Sequence, residues 1–189
     1  QTGTTTELNL ADFFRLNGIS YEALPIETND EGKENLFAGR CDVYTTDASG
    51  LSSTRAAAAD PSKWLVLPEI ISKEPLGPLV RHGDHQWGDV VRWSLNAMII
   101  AEELGVTSEN VDASLSSNVP EVLRLLGVEG SYGEMLELAP DWAYQIIKQI
   151  GNYSESYEAN VGPDTPLEIA RGLNALWTQG GILYAPPFR

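Results

Sequence analysis

The chain has 189 residues, 42% of them hydrophobic and 21% charged, and its 12 basic and 27 acidic side chains give a net charge of −15. This composition is typical of a globular chain that forms one large domain or two small lobes, and it excludes wholesale disorder. The acidic charge excludes nucleic acid and anionic membrane surfaces as expected partners. Since no apolar run approaches the roughly 18 residues of a membrane-spanning helix, we expect no direct membrane insertion.

The start of the chain leaves two explanations open. It begins at Gln1 instead of methionine, and no basic segment followed by an apolar stretch is present. Either a leader such as a signal peptide has been removed, or the chain is a fragment. Residues 1–7 have the pattern of a loop that enters a helix, and such a loop normally follows a strand. We therefore expect that a strand upstream of Gln1 is missing.

Helices and strands alternate over the first 68 residues at the spacing of βα units. Thr4 and Glu7 form a capping-box pattern that starts a helix, and Gly18 ends it. The other predicted elements are helices at about 29–38 and 49–59 and strands at 19–26, 41–47 and 64–67. This alternation predicts an α/β lobe with a mostly parallel sheet.

The pattern changes after Pro68, where residues 69–83 carry several prolines and glycines and predict an extended connector. Asp84 is a suitable N-cap for a long helix that ends at Gly105, and the chain from there is predicted to be helical up to Gly180, with an extended tail over residues 184–189. The predicted division is an α/β lobe over 1–68, a connector over 69–83 and a helical segment over 84–189.

Two further helical patterns lie within the segment 84–189. The first is an apolar stripe of Trp142, Ile146, Ile150 and Tyr153. The second begins at Thr165–Glu168, which combines an N-cap, a proline at the first helical position and a capping-box glutamate, and it ends at Gly180.

No combination of residues indicates an enzyme, a metal site or a cofactor site. His82, Asp84 and His85 are possible metal ligands, but an exposed turn in which Asp84 is the N-cap explains these residues better. A nucleophile elbow, a P-loop and a dinucleotide-binding glycine motif are all absent from the sequence. Cys41 is the single cysteine, so no intrachain disulfide can form, and we interpret it as a small buried residue of a core strand.

Two features indicate a site for a zwitterion. Gly3, Thr4 and Thr5 open a helix, whose free N–H groups and positive dipole end suit a small carboxylate; a plain capping box is an equally good explanation. Asp47 ends a predicted strand, at the edge where open α/β sheets bind their ligands, and its carboxylate suits an ammonium group. The alternative for Asp47 is an aspartate that merely starts a turn.

Five separate stretches resemble periplasmic amino-acid-binding proteins of ABC importers. The first two resemble the second lobe of these proteins, and the other three resemble the general L-amino-acid-binding branch, which is the closer match. The five stretches are residues 1–7 (QTGTTTE), 38–47 (AGRCDVYTTD), 67–78 (LPEIISKEPLGP), 170–177 (ARGLNALW) and 180–189 (GGILYAPPFR). The resemblance covers essentially the whole chain.

The resemblance implies a type II periplasmic binding fold, in which two α/β lobes joined by crossing strands enclose an amino acid. Residues 1–68 would be the second lobe without its first strand, and residues 84–189 would return to the first lobe. It also implies that Thr5 holds the ligand α-carboxylate and Asp47 the α-ammonium, while Gly3 and Thr4 complete the loop. The implied protein is a periplasmic receptor, with its signal peptide removed, that delivers L-amino acids to the membrane permease of an ABC importer.

A second interpretation belongs to a different class of protein. The chain would be a truncated interaction module that associates with itself and no longer binds a ligand on its own. Its apolar helical stripes would then be exposed where, in the family, they pack on the first lobe. Saturable binding of an amino acid separates the two interpretations.

Overall fold

A computed structural model describes residues 1–73 and 75–189; Glu74, within the predicted connector, lies outside the described residues. The helices of the described part are α1 (Thr5–Leu16), α2 (Asn29–Phe37), α3 (Ala48–Ala56), α4 (His85–Glu103), α5 (Val111–Ser114), α6 (Pro120–Leu125), α7 (Tyr132–Met135), α8 (Trp142–Ile150) and α9 (Tyr153–Asn160). Short 3₁₀ turns occupy Pro61–Lys63, Gly172–Asn174 and Trp177–Gln179. None of these helices combines the length and the apolar character that crossing a bilayer requires.

The chain divides into two compact units. The first unit comprises residues 1–76 and 166–169, which include α1 to α3, and the second comprises residues 77–165 and 170–189, which include α4 to α9. The hydrophobic core lies in the second unit, where buried side chains come from α4, α6, α8 and the C-terminal segment. In the described part of the first unit, Ile26 is the one buried hydrophobic residue.

The predicted helices of the first unit are confirmed, and their caps explain where they begin. The Thr4 hydroxyl caps α1 by accepting the Glu7 N–H at 3.4 Å, and the Thr28 side chain caps α2 in the same way through Glu31 N–H at 3.2 Å. Acidic residues in the first turn of α1 and α2 also favour the positive end of each helix dipole. These local signals lie within four residues of each helix start, which is why the sequence reveals them.

The predicted parallel sheet is not confirmed. Residues 19–26, 41–47 and 64–67 have no strand assignment, and one isolated bridge between Leu176 and Leu183 is the whole β-pairing of the described residues. A strand needs a neighbour that takes its backbone hydrogen bonds, and these three segments do not pair with one another. Several of their apolar side chains are accordingly exposed, as Leu65 at 78% illustrates, although Ile26 is buried. Cys41 is therefore half-buried outside any strand, and the interpretation as a buried strand residue is wrong.

In the second unit, α4 is the central element and packs against α6, α8 and α9. Its predicted N-cap is confirmed, because the Asp84 carboxylate accepts the Trp87 N–H at 3.1 Å. The C-terminal segment also enters this core. The Phe188 ring lies 5.2 Å from the Trp93 ring and 5.4 Å from the Tyr132 ring, between ring centroids.

The two other helical patterns are only partly right. The buried face of α8 consists of Trp142, Ala143 and Ile147, whereas Ile150 is 61% exposed and Gly151, with φ of 93°, ends the helix before Tyr153. The helix predicted from Thr165–Glu168 does not form. Glu168 has a left-handed φ of 52°, which a right-handed helix cannot contain, and its carboxylate pairs with Arg55 at 2.8 Å within the first unit.

A buried polar junction joins the loop before α5 to the start of α9. Asn152 and Glu155 form a complete capping box, and the Asn152 amide donates to the Val106 carbonyl at 2.9 Å. The Glu155 carboxylate accepts hydrogen bonds from the Ser108 hydroxyl at 2.6 Å and from the Asn152 N–H at 2.8 Å. Burial alone would raise the pKa of Glu155, but the hydrogen bonds from Ser108 and Asn152 outweigh it and lower the pKa below its usual value of 4.5.

We expect Glu155→Gln to destabilise the protein by about 1–2 kcal/mol at neutral pH, because the amide accepts these hydrogen bonds more weakly than a carboxylate does. The folded-state pKa lies below the unfolded one, so this stabilisation is present above about pH 4.5 and is lost as the pH falls through the folded value. Thermal melts of both proteins between neutral and acidic pH should therefore converge on acidification. Glu158→Gln, on the exposed side of α9, is the matched control; an equal effect there would refute the junction's role.

Candidate functional site

One pocket in the first unit has a volume of about 270 Å³. It is lined by Gln1, Thr4, Thr5, Thr6, Asn29, Thr45, Thr46, Asp47 and Leu76. Among these side chains, Leu76 is the one apolar member and Asp47 the one charged member. Apart from the Asp47 carboxylate, the lining is thus uncharged and rich in hydroxyl and amide groups.

Three helices begin at this pocket. Thr5 is the first residue of α1, Asn29 is the first residue of α2, and Asp47 is the N-cap of α3. The first N–H groups of a helix have no partner within the helix, and the aligned peptide dipoles make that end positive. Residues at three helix starts, the ends of helices that favour anions, therefore line the pocket beside the Asp47 carboxylate.

The predicted site residues contribute in different ways. Thr5 is exposed and lines the pocket, and Asp47 lines it without making a capping hydrogen bond to α3, so neither side chain serves only to cap a helix. The Thr4 hydroxyl also lines the pocket, but it donates to the Gln1 carbonyl at 2.7 Å while it caps α1. Gly3 does not line the pocket. Its left-handed φ of 71° turns the chain into α1, and its N–H donates to the Glu7 carboxylate at 2.8 Å.

The structure brings Thr4, Thr5 and Asp47 to one pocket and adds residues that the sequence analysis did not select. Thr45 and Thr46 immediately precede Asp47, so the sequence pattern that selected Asp47 could also have selected them. Asn29 had a recognisable signal too, because it begins a helix as Thr5 does. What the sequence could not reveal is that the starts of α1, α2 and α3 meet at one place.

Tyr44 does not line this pocket but contacts Asn29, which does. Its hydroxyl donates to the Asn29 Oδ1 at 3.2 Å. Burial raises the pKa of the Tyr44 phenol above its ordinary value, although a hydrogen bond with Thr46 acts in the opposite direction. Tyr44 therefore stays a neutral hydrogen-bond donor over the physiological pH range.

The other sequence candidates lie elsewhere. His82, Asp84 and His85 line a second pocket of about 270 Å³ at the start of α4. Asp84 is engaged there as the N-cap, and Arg92 pairs with Asp89 at 3.2 Å. No group of three or more metal-ligating side chains lies close enough to hold a metal ion among residues 1–73 and 75–189.

No family profile matches the chain, but several proteins resemble it along its whole length. The glutamate/glutamine/aspartate/asparagine-binding protein of Rhodobacter capsulatus is 55% identical over 100% of this chain and 56% of its own length. The general L-amino acid-binding periplasmic protein of Rhizobium johnstonii is 54% identical, and a putative amino-acid ABC transporter-binding protein of Escherichia coli is 52% identical, with the same coverage. The chain thus spans little more than half the length of these relatives.

The fold has a close counterpart among solved structures. An ABC transporter periplasmic binding protein from Brucella ovis with glutathione bound superposes with a TM-score of 0.94 and 50% sequence identity, over 100% of this chain and 60% of that protein. Sequence identity above 50% to the relatives and a TM-score of 0.94 to the solved structure exclude a chance similarity. By sequence and by fold, the 189 residues are therefore similar, over their whole length, to little more than half of periplasmic amino-acid-binding proteins of ABC transporters.

Proposed function

We propose that the protein is a solute-binding receptor that captures L-amino acids in the periplasm and delivers them to the membrane permease of an ABC importer. The observation that carries this proposal is the composition of the pocket in the first unit. Residues at three helix starts and the Asp47 carboxylate border the same cavity of about 270 Å³. An α-amino acid carries a carboxylate and an ammonium group on one carbon. Its binding site therefore needs a partner for each of the two groups within one small pocket.

In the proposed complex, the ligand carboxylate lies at the start of α1. Helix starts bind carboxylates because unpaired N–H groups and the positive dipole end act together. The Thr5 hydroxyl lines the pocket at this position and adds a donor. Gly3 and Thr4 hold the loop in shape, through the Gly3 N–H bond to Glu7 and the Thr4 cap.

The ligand ammonium lies against Asp47 in the proposed complex. A charged hydrogen bond between an ammonium and a carboxylate is stronger than one between neutral groups, and it strengthens further when a bound ligand displaces water. The Asp47 side chain is free of a capping role, so it can turn to the ligand without loss to α3.

The relatives support this assignment. All three are named as binding proteins for amino acids or for amino-acid ABC transporters. We propose accordingly a type II fold in which residues 1–68 are the second ligand-binding lobe, 69–83 the crossover connector and 84–189 the segment that returns to the first lobe. Nucleic acid is not a proposed partner, since a net charge of −15 opposes it.

Calorimetric titration of the full-length protein with the twenty L-amino acids tests the proposal. We expect saturable heat with one or more of them. Absence of saturable heat with all twenty, from a protein with a cooperative thermal melt, would contradict a receptor. Self-association detected by light scattering in that case would favour an interaction module instead.

Replacing Thr5 by valine should weaken the binding of an amino acid by about 1 kcal/mol, or about fivefold in Kd. Valine keeps the shape of the side chain and removes only the hydroxyl, so the backbone N–H groups of α1 remain for the carboxylate. Calorimetry measures the change, with Thr178→Val on the exposed surface of the second unit as the matched control. A loss as large as the one expected for Asp47→Ala would show that the hydroxyl, and not the backbone, dominates carboxylate binding.

A further inference from the structure

Asn29 lines the pocket with a side-chain amide of which one group, the oxygen, is engaged within the protein. It is the first residue of α2, it borders the pocket, and its Oδ1 accepts the Tyr44 hydroxyl at 3.2 Å. An asparagine amide has one acceptor oxygen and one NH₂ group with two donors. Because Tyr44 engages the oxygen, the NH₂ group is what Asn29 can present to a ligand.

The orientation of that amide is set by packing behind it. Tyr44 lies directly on α2 at Gly32, where an added Cβ would come within 2.6 Å of the Tyr44 ring and 2.6 Å of Ile26 Cδ1. Any side chain larger than hydrogen at position 32 would displace the ring, so the glycine permits this close approach. The ring in turn holds its hydroxyl against Asn29 Oδ1, so the amide oxygen is engaged within the protein while the two N–H donors of Asn29 remain for a ligand.

We propose that Asn29 selects among amino acids at this pocket, in favour of those whose side chain carries a carboxylate or a carboxamide, and that Tyr44 is its positioning residue. This inference rests on the proposed receptor function and deepens it. Asp47 is the pocket's ammonium partner in that proposal, and Asn29 provides a side-chain donor on a different helix, α2 instead of α3. A ligand with an acceptor beyond its α-carbon satisfies that donor.

Apolar amino acids of the same length are rejected for a physical reason. A ligand that fills the pocket removes water from the Asn29 amide, and an apolar side chain returns no hydrogen bond for the one that was lost. A site built to hydrogen-bond its ligand discriminates strongly against an analogue without the matching group, because its own polar group is left unpaired. L-Methionine, which is close in length to L-glutamine and L-glutamate, is therefore the informative competitor.

Calorimetry on the full-length protein with L-glutamate, L-glutamine and L-methionine tests this selection. The unmodified protein should bind L-glutamate and L-glutamine at least about tenfold more tightly than L-methionine. Asn29→Asp replaces the donor by a carboxylate of the same shape that still accepts the Tyr44 hydroxyl and suits the first turn of α2. It should weaken L-glutamate binding at least about tenfold relative to L-glutamine, since two carboxylates repel, and change L-methionine binding less than threefold.

Two further proteins complete the design. Tyr44→Phe removes only the hydroxyl that holds the amide, so it should reduce the preference for L-glutamine over L-methionine about two- to fivefold. Asn118→Asp, on an exposed residue of the second unit, makes the same charge change outside the pocket lining and should leave all ratios unaltered. Thermal melts of every variant establish that each is folded.

The outcomes separate this inference from the receptor function. If the unmodified protein binds none of the twenty L-amino acids, both fail. If it binds amino acids and Asp47→Ala abolishes binding, but L-methionine binds as tightly as L-glutamine or Asn29→Asp leaves the ratios unchanged, the selection by Asn29 fails alone. A shift of the L-glutamate to L-glutamine ratio in Asn29→Asp, without a shift in Asn118→Asp, establishes it.

Discussion

Replacing Asp47 by alanine should weaken the binding of L-amino acids by on the order of 2–5 kcal/mol, which is at least about thirtyfold in Kd. Asp47 is the single charged side chain among the described residues that line the pocket. Its removal leaves the ligand ammonium beside neutral hydroxyl groups and three positive helix ends, where a cation is disfavoured. The loss combines the missing charged hydrogen bond with this unfavourable potential.

Calorimetric titration of the full-length protein measures the effect. Asp42→Ala is the matched control, since Asp42 is exposed, lies five residues upstream and does not line the pocket. Asp47→Asn separates charge from shape, and we expect it to be nearly as harmful as the alanine. An unchanged Kd in Asp47→Ala would show that the ammonium is held elsewhere and would remove this residue from the site.

Replacing Ile147 by alanine should lower the free energy of unfolding by about 2–5 kcal/mol. Its side chain is fully buried on α8, within the core that also contains Leu125 and Leu126. Removing three buried carbon atoms forfeits their transfer free energy and leaves a cavity that close-packed neighbours fill only in part. Domains are marginally stable, so a change of this size is a large share of the total.

The same helix provides the control for this experiment. Ile150, one turn further along α8, is 61% exposed, and Ile150→Ala should cost less than about 1 kcal/mol. Urea denaturation followed by circular dichroism compares the two variants in the full-length protein. Equal destabilisation by both would mean that the buried face of α8 differs from the one described. The comparison also decides between this face and the stripe predicted from sequence, which contained Ile150 and not Ile147.

The features that sequence predicted correctly depend on neighbours along the chain. The helix starts at Thr5, Asn29 and His85 follow from caps one to three residues away, and these are the same signals that mark Thr4, Thr28 and Asp84. Thr5 was selected as a candidate site residue for the same reason, because the chemistry of a helix start is local. Asp47 was selected as the end of a strand that does not form, and it is instead the N-cap of α3 and lines the pocket. The ligand-binding role of both residues stays a prediction.

The features that sequence missed depend on distant partners. Residues 19–26 and 41–47 have the composition of strands. A strand forms only beside another strand, however, and these segments do not pair with each other in the described part of the chain. Where a helix was predicted from Thr165–Glu168, Glu168 instead pairs with Arg55, which lies more than a hundred residues earlier in the chain. Asn29 was not selected, because the role proposed for it follows from Tyr44 and from the meeting of α1, α2 and α3.

The meeting of three helix starts at one pocket has an evolutionary consequence. Backbone N–H groups are present whatever the side chain, so substitutions around the pocket leave the donors for a carboxylate in place. Side chains such as Asn29 and Thr46 can then change without abolishing the recognition that all α-amino acids share. In a receptor built this way, a lineage can broaden, narrow or exchange its preferred nutrient by single substitutions, while the capacity to hold an amino acid persists throughout.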